Sequence, residues 1–101
     1  MPVAYLLVEM HITDPEGYKA YMAAAPAAVK AFGGEYLVRG GRQEVLEGDW
    51  QPHRVAMLSF PSFEQARAFY DSEQYVLARA KRAGMTDYFN MVLVEGVAAP
   101  V

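Results

Sequence analysis

The stretch VAYLLVEMHI, Val3 to Ile12, leaves the backbone little choice. Ala4, Leu6, Val8, Met10 and Ile12 are all apolar, whereas Val3, Tyr5, Leu7, Glu9 and His11 are mixed. A period of two puts successive side chains on opposite faces, so this is a strand with one fully buried face and one amphipathic face. It therefore needs a core on one side and some further cover on the other.

The rest of the chain supplies the core. TDPEGYKAYMAAAPAAVKAFGG has helical spacing: Tyr18, Tyr21, Met22, Ala25, Val29 and Phe32 form one stripe. Thr13 or Asp14 can cap it, Glu16 can complete a capping box from Thr13, and Pro15 suits the first turn. Pro26 has no N–H for the carbonyl of Met22, so a bend is expected there, and Gly33 supplies a left-handed stop. EYLVR reads as a second strand, interrupted at Gly40-Gly41 by a bulge and resumed as RQEVLE. After the loop GDWQP, HRVAMLSF is a third strand that closes a hairpin. PSFEQARAFYDSEQYVLARAKRAG is helical in two pieces, with Ser62 and Gln65 as a capping box and Ser72 as the cap of the second piece. TDYFNMVLVEG is the last strand.

The order β-α-β-β-α-β defines an α+β, ferredoxin-like chain, expected to be a single domain over residues 1–101. The right-handed crossover rule places the first strand between the third and fourth in an antiparallel sheet. Matching apolar faces puts Leu6, Val8, Leu58 and Phe60 under the helices. The opposite face then carries Tyr5, Leu7, Glu9, His11, His53, Val55 and Met57, too apolar to face water, and the chain has no third layer to cover it. Hydrophobic residues make up 53% of only 101, more than so small a body hides alone. A second copy is the expected cover. Tyr5, Leu7, Val55 and Met57 belong to that interface, and Trp50, a large ring in a loop, is its expected anchor.

Composition also excludes. The net charge is −3 and no basic run exceeds Lys81-Arg82, so no nucleic-acid partner is expected. With no cysteine there are no disulfides, thiolate metal sites or thiol nucleophiles. The apolar start lacks a basic leader, and AYMAAAPAAV, the longest uncharged run, is too short to span a bilayer. A cytoplasmic protein without membrane contact is expected.

DPEGYKAY, GGEYLVRGG, EVLEGDWQPHRV, FPSFEQARAFYDSEQY and the closing VLVEG together resemble the bacterial family called domain of unknown function thirteen-thirty, of the dimeric alpha–beta barrel superfamily. The resemblance implies a homodimer whose two sheets pack face to face, and it implies no established activity. One position departs. Family members often carry a glutamate before the Phe-Pro pair, where this chain has Ser59-Phe60-Pro61, which speaks against acid–base catalysis there. By the alternation, Ser59 falls on the sheet-to-sheet face, where a hydroxyl is easier to bury than a carboxylate.

Few residues stand out as chemistry. Gly33-Gly34 and Gly40-Gly41 follow a helix and flank a strand, the reverse of a dinucleotide fingerprint. Arg39 either grips a carboxylate or phosphate of a ligand or pairs with a neighbouring carboxylate such as Glu35, Glu44 or Asp49, the plainer reading. The strand order brings His11 and His53 near each other with Glu9 on the same face. Two imidazoles and a carboxylate can bind a metal or shuttle protons, yet the plainer reading is isolated histidines, with no metal. Among the helix tyrosines, Tyr21 and Tyr70 read as core, while Tyr18, Ser72, Tyr75 and Arg82, together with Arg39, are the candidate ligand-binding set. Related superfamilies of this architecture often place small-molecule sites between helices and sheet. Asp71-Ser72 also reads as plain punctuation between two helices.

The expected function is binding of a small apolar or aromatic molecule by a homodimer, without a cofactor. Two alternatives stay open: a non-catalytic structural or stress-related dimeric module, and a cofactor-free oxygenase or isomerase. Haem binding is a weaker option, since only His11 and His53 could serve as proximal ligand and neither is expected on the helix side.

Overall fold

The alternating segment becomes β1 (Ala4–Ile12), followed by α1 (Pro15–Ala31), β2 (Glu35–Arg39), β3 (Arg54–Phe60), α2 (Phe63–Asp71), α3 (Glu73–Ala80) and β4 (Thr86–Glu95). The structure is a computed structural model and describes residues 2–98. All pairings are antiparallel and the sheet order is β2-β3-β1-β4, the order that the crossover rule requires. The fold is ferredoxin-like, with the three helices on one face of the sheet.

The register Leu6↔Leu58, Val8↔Ala56 and Ala4↔Phe60 turns the even residues of β1 and β3 toward the helices. There Leu6, Val8, Met10, Leu58 and Phe60 are buried. Phe60, Phe69 and Tyr75 form a continuous aromatic run, with centroids 4.9 Å and 4.3 Å apart. Each buried side chain of this size contributes about 1.5–3 kcal/mol.

Helix ends follow local chemistry. Asp14, not Thr13, caps α1, its carboxylate accepting from the Gly17 N–H at 3.0 Å. No Thr13–Glu16 box forms, and Glu16 pairs instead with Lys19 at 2.8 Å. The far end closes when Gly33, at φ 76, and Gly34 donate their N–H groups to Lys30 and Val29, a two-bond left-handed stop. Gly34 has a different reason to be glycine: an added Cβ would lie 2.6 Å from the Phe60 ring. Ser62 Oγ accepts from the Gln65 N–H and so starts α2. Ser72 separates α2 from α3 by donating to the Phe69 carbonyl while accepting from the Tyr75 N–H.

Two strand expectations fail at the sheet edge. The register of β2 on β3 shifts between Tyr36 and Val38, so the bulge lies at Leu37 rather than at Gly40-Gly41. Gly40 instead ends the strand at φ 73, its N–H reaching the Val55 carbonyl at 2.9 Å. Nor does the strand resume as RQEVLE, because residues 41–52 lie outside any helix or strand. β2 is an edge strand, and its one neighbour, β3, begins only at Arg54. Val45 and Leu46 therefore have no ladder to join, whatever their preference for strands.

The face away from the helices carries Tyr5, Leu7, Val55, Met57, Val92 and Val94. Leu7 is 41% exposed and Val92 55%. Trp50, 67% exposed, borders a groove on this face with Leu7, Glu9, Val55 and Met57. Ser59 lies opposite Tyr5, on that same face. No helix among the described residues is long and apolar enough to cross a membrane.

Candidate functional site

Between α1, α3 and the sheet lies a cavity of about 40 Å³. Its walls are mainly apolar, from Val8, Met10, Leu58, Phe69, Phe89 and Met91. Four phenols converge on them, from Tyr18 and Tyr21 on α1, Tyr36 on β2 and Tyr75 on α3. Tyr21 and Tyr75 share a hydrogen bond of 2.6 Å between their hydroxyls. Burial first, then the nearby Tyr75, pushes the Tyr21 phenol well above the ordinary range. Burial also raises Tyr18, which is only 3% exposed, against the opposing charges of Arg82 and Arg54.

Arginines ring this hollow. Arg39 lies over the Tyr36 ring at 4.6 Å and donates to the Met22 carbonyl at 2.8 Å. That carbonyl is the one that Pro26, without an N–H, leaves free inside α1. The helix runs on through Pro26 to Ala31, and Arg39 takes up the missing bond. None of the expected partners of Arg39 is engaged: among the described residues it makes no ion pair with Glu35, Glu44 or Asp49. Arg54 projects inward from β3 and lines the cavity. Arg82 stacks on Phe89 at 3.6 Å and lies 5.2 Å from the Tyr21 ring centre.

Of the five residues expected to bind a ligand, Tyr18, Arg39 and Tyr75 thus line one cavity, and Arg82 backs it through Phe89 and Tyr21. Ser72 stands apart with its hydroxyl occupied by the helix break. Sequence reasoning left out Tyr36 and Arg54 and assigned Tyr21 to the core. Arg54 did carry a signal, a charge at an inward position in line with Ala56, Leu58 and Phe60.

A second polar group occupies the end of the outer face. His11 and His53 stack with ring centroids 4.0 Å apart, so they meet as the strand order predicts and are not isolated. The register slips between His11 and Ile12, which leaves Asp87 as an extra residue on β4, 3.0 Å from His11 Nδ1. The Tyr88 hydroxyl donates to Glu9, and His53 Nδ1 lies 2.6 Å from the same hydroxyl. Since the phenol proton goes to Glu9, His53 Nδ1–H is the donor in that contact. Hydrogen bonding to Glu9, then burial and the nearby negative charges, pushes the Tyr88 phenol up to about 12. Both imidazoles lie on the face opposite the helix-side cavity, and among the described residues no three His, Asp or Glu side chains are placed so that they could hold one metal ion.

A family model described as Domain of unknown function (DUF1330) matches residues 3–97. No curated protein matches. A protein of unknown function from Rhodopseudomonas palustris superposes with TM-score 0.77 at 15% identity, over 97% of this chain and 85% of that one. A dimeric ferredoxin-like protein of unknown function from Thermobifida fusca gives 0.63 at 14%, over 94% and 92%. A proposed antibiotic biosynthesis monooxygenase from Caulobacter crescentus gives 0.64 at 12%, over 95% and 91%. At such identities the likeness is one of fold.

Proposed function

The chain belongs to the DUF1330 family, and from its cavity we propose that it works as a homodimer binding one small aromatic or apolar molecule per subunit between helices and sheet. The observation that carries this reading is the convergence of four phenols on a mainly apolar hollow. Such a mixture of apolar wall and a few polar groups is the usual make-up of a small-molecule site. The Tyr18 hydroxyl makes no hydrogen bond to another described residue, although the side chain is almost fully buried. Only Arg82 Nε is a fully buried side-chain atom without a partner among the described residues, so the Tyr18 hydroxyl keeps some accessible surface and is open to a ligand that accepts from it or donates to it.

The hollow is smaller than the cavity of about 150 Å³ that accepts benzene in a well-studied case. Entry of a ring therefore requires the mouth to widen. Met22, with its flexible thioether, and Arg39, which is exposed, are the side chains placed to move. The dimer is supported by the exposed apolar sheet face and by neighbours described as dimeric.

A fragment screen by NMR, with neutral and charged monocyclic aromatics, tests the site. Binders should shift resonances of Tyr18, Tyr36 and Tyr75, and Ala56→Leu, which fills the hollow from β3, should abolish those shifts while the circular dichroism stays native. If no aromatic perturbs these residues, the reading fails. A second reading is cofactor-free oxygenation or isomerisation of the bound molecule, favoured by the likeness to the Caulobacter protein and its description. It requires a product detectable by mass spectrometry after incubation in air, whereas a binding module returns its ligand unchanged.

A further inference from the structure

The charges around the helix-side cavity do not balance. The chain carries a net charge of −3, yet no Asp or Glu is among the described residues that line this hollow. Arg39 and Arg54 line it, and Arg82 lies against its Phe89 wall. Ion pairs among the described residues are His11–Asp87, Lys19–Glu16, His53–Glu9 and Arg67–Asp71, and none involves these three arginines.

Their guanidiniums rest on neutral partners. Arg39 has the Met22 carbonyl and the Tyr36 ring. Arg54 reaches the Arg39 carbonyl at 3.5 Å, beyond a strong bond, and occupies space that a side chain at Gly40 would fill. Arg82 buries its Nε without any hydrogen-bond partner. Tyr18, a nearly buried residue, adds a hydroxyl within electrostatic reach of Arg82 and Arg54. Arg54 and Arg82 are half-buried beside an apolar hollow without a counter-charge, and Arg39 stands exposed at its mouth, so an anion that arrives meets cations that no carboxylate already satisfies. The planar guanidinium fork matches a carboxylate in particular. A doubly charged phosphate would lose more hydration on entering so apolar a space.

We propose that the molecule taken up here is an aromatic carboxylate. Its ring lies among Tyr21, Phe69, Tyr75 and Phe89, and its carboxylate sits at the mouth against Arg39 and Arg54, with the Tyr18 hydroxyl donating to it. This rests on the reading of the cavity as a small-molecule site and adds the charge and orientation of the ligand.

The test compares acids with their own amides by NMR chemical-shift titration at neutral pH: benzoate, 4-hydroxybenzoate and 2-naphthoate against benzamide, 4-hydroxybenzamide and 2-naphthamide. At least one acid should bind about tenfold more tightly than its amide, as expected for hydrogen bonds to a charged group. That preference should shrink as salt is raised, and shrink in both Arg39→Gln and Arg54→Gln. Amides that bind as well as acids overturn the proposal and leave the cavity reading standing. So does an acid preference that is unchanged in both variants. If neither acids nor amides bind, the cavity reading itself falls and this inference with it. Should a variant misfold, the acid–amide comparison on the unaltered protein decides alone.

Discussion

Glu9 illustrates how a carboxylate is kept on a sheet face between apolar neighbours. Burial by itself would raise its pKa, but hydrogen bonds from Tyr88, the His53 N–H and Asn90, with the nearby His53 charge, hold it below the usual carboxylate range. A group whose folded pKa lies below its unfolded value adds stability above the unfolded value, about pH 4.5, and loses it as pH falls through the folded one. Asp87 follows the same sign, lowered chiefly by its bond to His11. Acidification from pH 6 to pH 3 should therefore lower the melting temperature of the parent protein more than that of Glu9→Gln, whose amide does not titrate. Thermal melts across that range provide the check, and parallel curves would mean that Glu9 has no share in the acid loss. The pairing of His11 with His53 was readable from strand order alone. The roles of Tyr88 and Asp87 were not, because one depends on the β4 register and the other on a one-residue slip within it.

At the level of elements, α1 and β2 are joined by a repair. Pro26 deprives the Met22 carbonyl of its helical partner, and Arg39 supplies a guanidinium N–H in its place. A proline in a helix interior costs about 3 kcal/mol relative to alanine, part of which this contact offsets. Pro26→Ala should therefore stabilise the protein by about 1–3 kcal/mol. Arg39→Met should cost less in that background than in the parent, because the carbonyl is then bonded within the helix. Urea unfolding of the four proteins in the cycle measures the coupling, and strictly additive effects would show that the two residues act independently. The orphaned carbonyl was legible from Pro26 itself. Its donor was not, since Arg39 comes from another element and local charge pointed to carboxylates instead. The same limit explains the strand wrongly extended through Arg42–Glu47: composition reports a preference, and pairing requires a neighbour. Where local chemistry is complete in itself, as in the caps at Ser62 and Ser72 or the stop at Gly33, sequence and structure agree.

For the whole molecule, the decisive property is a sheet covered by helices on one side only. Period two in β1 fixed which residues face the helices, and the crossover rule fixed the strand order, so most of the architecture could be read in advance. The cavity could not be read as fully, because Tyr36 and Arg54 come from two different strands and meet the helix tyrosines only in the folded chain. The uncovered side yields a direct expectation about assembly. A charge placed at its centre, as in Leu7→Glu or Val92→Asp, should convert a dimer into monomers in sedimentation velocity at micromolar concentration. The helix side is untouched by these changes, so helical circular dichroism should persist. A parent protein that sediments as a folded monomer would contradict the proposed dimer outright.

The connection from Gly41 to Pro52 adds no rung to the sheet and holds none of the core. Changes in its length or sequence therefore leave the packed layers beneath it undisturbed. What they alter is the reach of Trp50 over the outer groove that it borders.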